Sequence, residues 1–291
     1  MMENRKKVVI GILIVFVLIA GYFGTKVYIE KDMEKKINKA IGKAAFFIDV
    51  DYEKVQVDLI GFTVHIKGIT ISPRGKERKT KIDDFIIYDM DDKNNFPYYL
   101  HIAMRGMDMS AENFGNRAER LKELGYENIK ANMELDYKYN EDNKEIYLNT
   151  LSSGAEDLGN INLKFHLSNI DLGSKGIAAV FLTFSEVLLH NAELSYTDDS
   201  FVSRLIKSVA KGQGQDVDDF VDMISESIDN EISKEKDEFT KEAMKSFKKF
   251  VRNPDKISIS TSLKKPLPVG RLKGKKDPKE IIKLLNAKVH I

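Results

Sequence analysis

The stretch VVIGILIVFVLIAGYFGT, residues 8–25, runs for eighteen positions without a charged side chain and decides how the rest of the chain is interpreted. A helix needs roughly 20 apolar residues to cross a hydrocarbon core, and about 17 can suffice. Residues 27–29 extend the apolar run, because the long side chain of Lys26 can carry its charge to the headgroups. The stretch therefore predicts a transmembrane helix, a signal anchor over residues 8–29.

A cleaved secretory signal peptide is the alternative interpretation of the same stretch. Arg5, Lys6 and Lys7 form the positively charged region with which such a peptide begins. The apolar run exceeds the usual length of about 7–15 residues, and no A-x-A-like cleavage site follows it. These two features favour an uncleaved anchor, and the absence of cysteine excludes a bacterial lipoprotein.

The charges around the span predict its orientation. A short basic head before a first apolar helix stays in the cytoplasm, and long domains translocate largely regardless of the lysines that follow the span. We therefore expect residues 1–7 to be a cytoplasmic tail. The expected location is the bacterial inner (cytoplasmic) membrane, crossed once, with the domain that follows in the periplasm or outside.

Composition restricts the remaining function classes. The formal net charge is +1, so no overall field attracts a nucleic acid, and none is predicted as a partner. The chain has no cysteine, which excludes disulfides, thiolate metal sites and cysteine nucleophiles. Charged residues make up 31% of the chain, which is typical of a soluble domain rather than a multi-span transporter.

Beyond the span, apolar periodicity divides the chain into three regions. In residues 30–45 apolar side chains recur every four positions, which predicts a helical stalk whose stripe packs on the domain or binds a partner. Residues 46–198 alternate apolar and polar side chains between short polar turns, which predicts a β-rich region. Residues 199–291 turn helical, with closing strands.

Consecutive strands joined by short turns predict an antiparallel meander. The expected fold class is α+β, with an N-terminal transmembrane helix and a twisted antiparallel β-sheet meander partly covered by C-terminal amphipathic helices. The predicted strands span residues 55–71 (a hairpin), 81–89, 98–109, 129–139, 145–151, 160–170, 187–196, 256–262 and 287–291. Short helices are predicted over residues 110–124 and 174–184. The predicted C-terminal helices span residues 201–211, 217–232, 239–251 and 278–285.

One stretch resembles a known family. The pattern V-x-V-x-L-x-G-F-x-V-x-I-x-G-I-x-I over residues 55–71 is similar to the opening strands of AsmA-like envelope proteins. Residues 194–199, 250–254, 257–260 and 266–268 resemble the C-terminal half of uncharacterised bacterial periplasmic proteins. The resemblance implies an extracytoplasmic β-rich domain with a role in lipid traffic or envelope homeostasis, here a smaller lipid-binding or accessory role.

No catalytic or metal-binding pattern stands out. The five histidines form no i, i+4 or H-x-H pair, so no metal is predicted. Residues 89–93 begin like a calcium loop, but Lys93 occupies a ligand position and the required glycine is missing. No G-x-S-x-G motif is present, and we expect neither an enzyme nor a cofactor.

The C-terminal basic cluster is the candidate binding site. Such clusters bind anionic headgroups at about 1 kcal/mol per basic residue, whereas in a lysine-rich chain they can also be a solvated loop. The candidate contacts are Lys264, Lys265, Arg271, Lys273, Lys275 and Lys276.

Two functions are consistent with these features. The first is a non-enzymatic, membrane-anchored extracytoplasmic protein that binds lipid or supports envelope homeostasis, with lipid and the membrane as partners. The alternative is a structural or scaffold subunit of a membrane protein complex, with the helices as partner surfaces.

Overall fold

The structure is a computed structural model, and it describes residues 26–39, 41–42, 45, 48–73, 79–94, 96–172, 183–275 and 277–291. The chain forms two compact units, Met1–Asp89 and Met90–Ile291. Their boundary falls inside the predicted β-rich region 46–198.

In the first unit, strand β3 (Thr63–Pro73) is paired along both edges. One edge pairs antiparallel with two short strands in succession, and the other edge pairs antiparallel with β4 (Thr80–Met90). The alternation of the sequence places Val55, Val57 and Val64 together in the core. The strands are β1 (Ile48–Asp51), β2 (Lys54–Asp58), β3 (Thr63–Pro73) and β4 (Thr80–Met90).

Helix α1, residues 26–39 and 41–42, lies against this sheet. Its stripe of Ile29, Met33 and Ile37 packs on the core of Val55, Val57 and Val64. Of the two predicted alternatives, the stripe therefore packs on the domain. The Glu30 carboxylate accepts a hydrogen bond of 3.0 Å from the Val57 backbone N–H. Among the described residues β2 pairs with β3 alone, so this bond satisfies a backbone group that no second described strand reaches.

The second unit is an antiparallel sheet in which each strand pairs with the next along the chain. Its strands are β5 (Tyr99–Ser110), β6 (Asn128–Asn140), β7 (Glu145–Ala155), β8 (Gly159–Ser168), β9 (Leu188–Thr197), β10 (Lys256–Pro268) and β11 (Ala287–His290).

Helices of the second unit pack on one face and at the end of this sheet. Phe250 of α5 (Glu238–Arg252) meets Tyr196 of β9 edge-on, with ring centroids 6.2 Å apart. Asp216, Asp237 and Asp277 begin three of the helices, and each side chain accepts a backbone N–H bond at the helix start. The helices are α2 (Ala118–Glu123), α3 (Phe201–Gly212), α4 (Val217–Lys234), α5 (Glu238–Arg252) and α6 (Pro278–Leu285).

The predicted membrane anchor is not supported. Within the part of the chain that the structure describes, no helix combines the length and apolarity that crossing a membrane requires. Residues 8–25 of the predicted span lie outside the described residues. Residues 26–29 belong to α1, which carries Lys26 and Glu30 and packs on the sheet.

The expected fold class was therefore wrong. In place of an α+β domain on a transmembrane helix, antiparallel β-sheet dominates both units. The predictions of a signal anchor and of a single-pass location in the bacterial inner membrane, with the domain in the periplasm, fail on the same finding.

Candidate functional site

One face of the second sheet carries an unbroken line of apolar side chains that runs across all seven strands. Each member is the direct cross-strand partner of the next, from β5 to β11. With neighbouring strands about 4.8 Å apart, the line is about 29 Å long. We call it the apolar row: Ile102, Leu135, Leu151, Leu163, Leu194, Ile259 and Val289.

Three of the seven members of the apolar row are exposed to solvent. Leu151 is 38% exposed, Leu194 46% and Ile259 41%, and the other members are half-buried. A single exposed leucine needs no explanation, but a contiguous exposed apolar strip indicates a binding surface. The register of the sheet therefore creates a surface that suits an extended apolar partner.

The apolar row adjoins a cavity of about 860 Å³. Ser153, Ile161 and Tyr196 line this cavity, and each lies two residues from a member of the row on its own strand. Because side chains alternate between the faces of a strand, these three residues share the face of the row. The cavity and the row thus form one continuous apolar surface.

Short helical segments cover the cavity. Phe114 lies in the 3₁₀ helix Ala111–Arg117, Leu121 in α2, and Phe201 and Leu205 in α3. Tyr196 also lines the cavity, and its single hydroxyl proton is shared between the Asp198 carboxylate at 2.6 Å and the Leu158 carbonyl at 2.8 Å. Burial is the main cause that raises the pKa of Tyr196, and the hydrogen bond to Asp198 is the second. The phenol therefore stays neutral. The interior therefore suits an uncharged apolar group.

The cavity carries positive charge among its lining residues. Arg117 and Arg120 line it, and both are exposed. Within the described ranges, the structure gives neither guanidinium an ion pair or a hydrogen bond. By contrast, the neighbouring Lys122 forms an ion pair with Glu112 at 2.5 Å. The hydrogen bonds from Lys122 and, second, from Ser110 lower the pKa of Glu112 to about 2. Two arginines are therefore available for an anion at the same cavity.

The predicted basic cluster lies elsewhere. Lys264 and Lys265 are exposed on β10, and Arg271 and Lys273 are exposed in and after the 3₁₀ helix Val269–Leu272. Lys275 pairs with Glu280 at 2.7 Å. Lys276 lies outside the described residues. None of the described members lines the cavity, so the proposal that they bind an anionic headgroup stays a prediction.

In residues 89–93, which begin like a calcium loop, the Asp91 side chain is hydrogen-bonded to groups of the protein. The Asp91 carboxylate accepts bonds from the backbone N–H of Tyr98 at 2.9 Å, the Asn94 amide at 2.7 Å and the Lys93 N–H at 2.9 Å. These donors, led by the Tyr98 N–H, lower the pKa of Asp91 to about 2. Its oxygens thus hold the loop together.

Three of the five histidines have partners that explain them. His65 contacts Asp84 at 2.9 Å, His101 contacts Glu134 at 3.1 Å, and His290 contacts Ser260 at 3.1 Å. The other two, His166 and His190, stack on each other with ring centroids 4.1 Å apart. Their separation along the chain concealed this contact, because only the pairing of β8 with β9 brings them together.

Two comparisons relate this chain to other proteins. A family model described as an uncharacterized protein matches residues 152–290, from the end of β7 to β11. An uncharacterized protein of Aquifex aeolicus (strain VF5) is 25% identical over 310 aligned positions, which cover 98% of this chain and 99% of that protein. Neither description states a function, and the resemblance to AsmA-like proteins stays a prediction.

Proposed function

We propose that this protein binds an elongated amphipathic ligand, an acyl chain with an anionic head, and performs no chemistry on it. The observation that carries the proposal is the continuity of the exposed apolar row with the apolar cavity. The acyl chain would lie along the row and in the cavity, and the head would meet Arg117 and Arg120. The alternative of a scaffold subunit stays a prediction.

The length of the surface supports a long-chain ligand. The row is about 29 Å long, while one leaflet accounts for half of a hydrocarbon core about 30 Å thick. One acyl chain of ordinary length therefore fits along it without folding back.

The energetics also favour a long chain. Each buried methylene contributes about 0.8 kcal/mol, whereas association costs roughly 4–15 kcal/mol. The six methylenes of octanoate gain about 5 kcal/mol, which offsets only the lower end of that cost. Palmitate has four methylenes more than dodecanoate, which adds about 3 kcal/mol, or roughly a hundredfold in affinity.

The first experiment is displacement of a fluorescent fatty acid from the full chain by octanoate, dodecanoate and palmitate. We expect palmitate to bind most tightly and octanoate not to compete. Native mass spectrometry with lipid extraction then identifies any ligand that copurifies. Equal affinity for the three acids, or no binding of palmitate, would overturn the proposal.

Two adjacent residues of β8 provide a matched pair of variants. Ile161 is 50% exposed and lines the cavity, and Asn160 is exposed on the opposite face of the same strand. Ile161→Glu and Asn160→Glu add the same charge at neighbouring positions. Only Ile161→Glu should abolish palmitate binding, while both variants should keep the β-sheet spectrum in circular dichroism.

The two arginines are tested through the head group. Replacing Arg117 and Arg120 together with alanine should weaken palmitate binding about tenfold, because exposed ion pairs contribute at most about 1 kcal/mol each. Binding of hexadecanol, which has no negative charge, should be unchanged. An equal loss for both ligands would assign the arginines a structural role.

A further inference from the structure

The face of the sheet opposite the apolar row carries a compact group of metal-ligating side chains. Glu145 of β7, His166 of β8 and His190 of β9 lie on three adjacent strands. One ligand atom from each lies within 4.8 Å of the other two. His166 lies three residues after Leu163 of the apolar row on the same strand, so the two side chains point to opposite faces. The group is therefore separate from the proposed acyl site.

His166 has an unsatisfied atom at the centre of the group. Its Nε2 is buried and makes no hydrogen bond, although it lies 3.6 Å from a Glu145 carboxylate oxygen. Buried polar atoms nearly always have a partner, so each exception requires an explanation. A buried ring nitrogen beside a carboxylate and a second imidazole is an arrangement that a cation would complete.

Neighbouring residues contact these side chains. The rings of Tyr147, His166 and His190 form a stack, with successive centroids 4.1 Å apart and planes within 15°. The Tyr147 hydroxyl donates to Glu145 at 2.6 Å, and the Ser168 hydroxyl lies 2.8 Å from His190 Nε2. Hydrogen bonds of this kind orient metal ligands in known sites.

We propose that Glu145, His166 and His190 bind a divalent transition-metal ion, Zn²⁺ or an ion of similar chemistry. Two imidazoles and one carboxylate form a donor set used by zinc sites that keep a fourth position open. Ligand atoms about 2.0–2.1 Å from a tetrahedral ion lie about 3.4 Å apart. Binding therefore requires the ligand atoms to close by at most about 1.4 Å. It also requires the two imidazoles to rotate out of their parallel stack, because an ion lies in the plane of each imidazole that binds it. This proposal departs from the sequence-based expectation that no metal is bound.

The test is calorimetric titration of the metal-free full chain with Zn²⁺, and a parallel titration with Co²⁺ followed by its visible absorption. We expect one ion per chain and a Co²⁺ spectrum typical of four-coordination. His166→Ala and His190→Ala should each abolish stoichiometric binding. His290→Ala, which removes an exposed histidine on β11, should leave binding unchanged.

Two further variants keep the proposal testable where an alanine variant does not fold. Glu145→Gln keeps the shape of the side chain and removes the anionic ligand, so it should weaken Zn²⁺ binding strongly. Tyr147→Phe removes only the bond that orients Glu145, and about a 10–100-fold loss is expected. Absence of Zn²⁺ binding by the unmodified chain, or equal binding by Glu145→Gln, would show that the stacked rings have a packing role alone.

Discussion

Replacing Gly159 with alanine should destabilise the second unit by about 3–5 kcal/mol. Gly159 begins β8 with φ +109°, a conformation that costs other residues about 1–3 kcal/mol. An added Cβ would lie 2.2 Å from the Thr197 carbonyl oxygen. That oxygen belongs to the backbone, so relief requires β8 to move away from β9. Local pairing of the two strands would then be lost, at about 1 kcal/mol for each hydrogen bond.

The assay is equilibrium unfolding in urea, followed by circular dichroism. Gly212→Ala is the matched control, because an added Cβ there meets no atom within 4 Å and Gly212 ends helix α3. That variant should be neutral or more stable by up to about 1 kcal/mol. If Gly159→Ala lost less than about 1 kcal/mol, the close approach of β8 to β9 would be refuted.

Two further predictions concern side chains of the same unit. Tyr139→Phe should cost about 2–4 kcal/mol in urea unfolding, because the buried hydroxyl donates to the Ile170 carbonyl at 2.9 Å and also accepts a backbone N–H. Tyr137→Phe loses one bond and should cost about half as much; equal costs would contradict this account. The backbone N–H of Tyr98 leads the donors that lower the pKa of Asp91 from 3.8 to about 2, so the folded state binds a proton less readily than the unfolded state. The stability advantage over Asp91→Asn should therefore be complete above about pH 4 and disappear as pH falls through 2 in thermal melts, and a constant difference would refute it.

The positions of many strands could be predicted because each has one apolar face. Alternation over residues 129–139 predicted β6, which spans Asn128–Asn140. The helical stripe over residues 217–232 predicted α4, which spans Val217–Lys234. In both segments the local period of apolar residues reflects burial of one side, so a single segment contains the signal. The helix predicted over residues 174–184 lies almost entirely outside the described residues.

The partner of an apolar stripe could not be predicted in the same way. The stripe of α1 is equally consistent with a stalk, a partner-binding helix and a helix packed on the domain. What decides between them is the valine face of the hairpin formed by β2 and β3, which needs cover. The stripe and the valine face occur in separate segments, and neither contains information about the other.

The candidate sites were missed because they depend on register. Bulges shift the pairing of β6 with β7 and of β7 with β8, and these shifts decide which residues align. Leu135, Leu151 and Leu163 form part of one row only after those shifts are known. Arg117 and Arg120 had a weak signal, since residues three apart on a helix share a face.

The alternation that separates the two faces of the sheet also separates the two proposals. Ile161 and His166 lie on the same strand but point to opposite faces, because they are an odd number of residues apart. Ile161→Glu should therefore abolish palmitate binding and leave Zn²⁺ binding intact, whereas His166→Ala should do the reverse. Loss of both activities in either variant would indicate that β8 had unfolded, so each proposal can fail without the other.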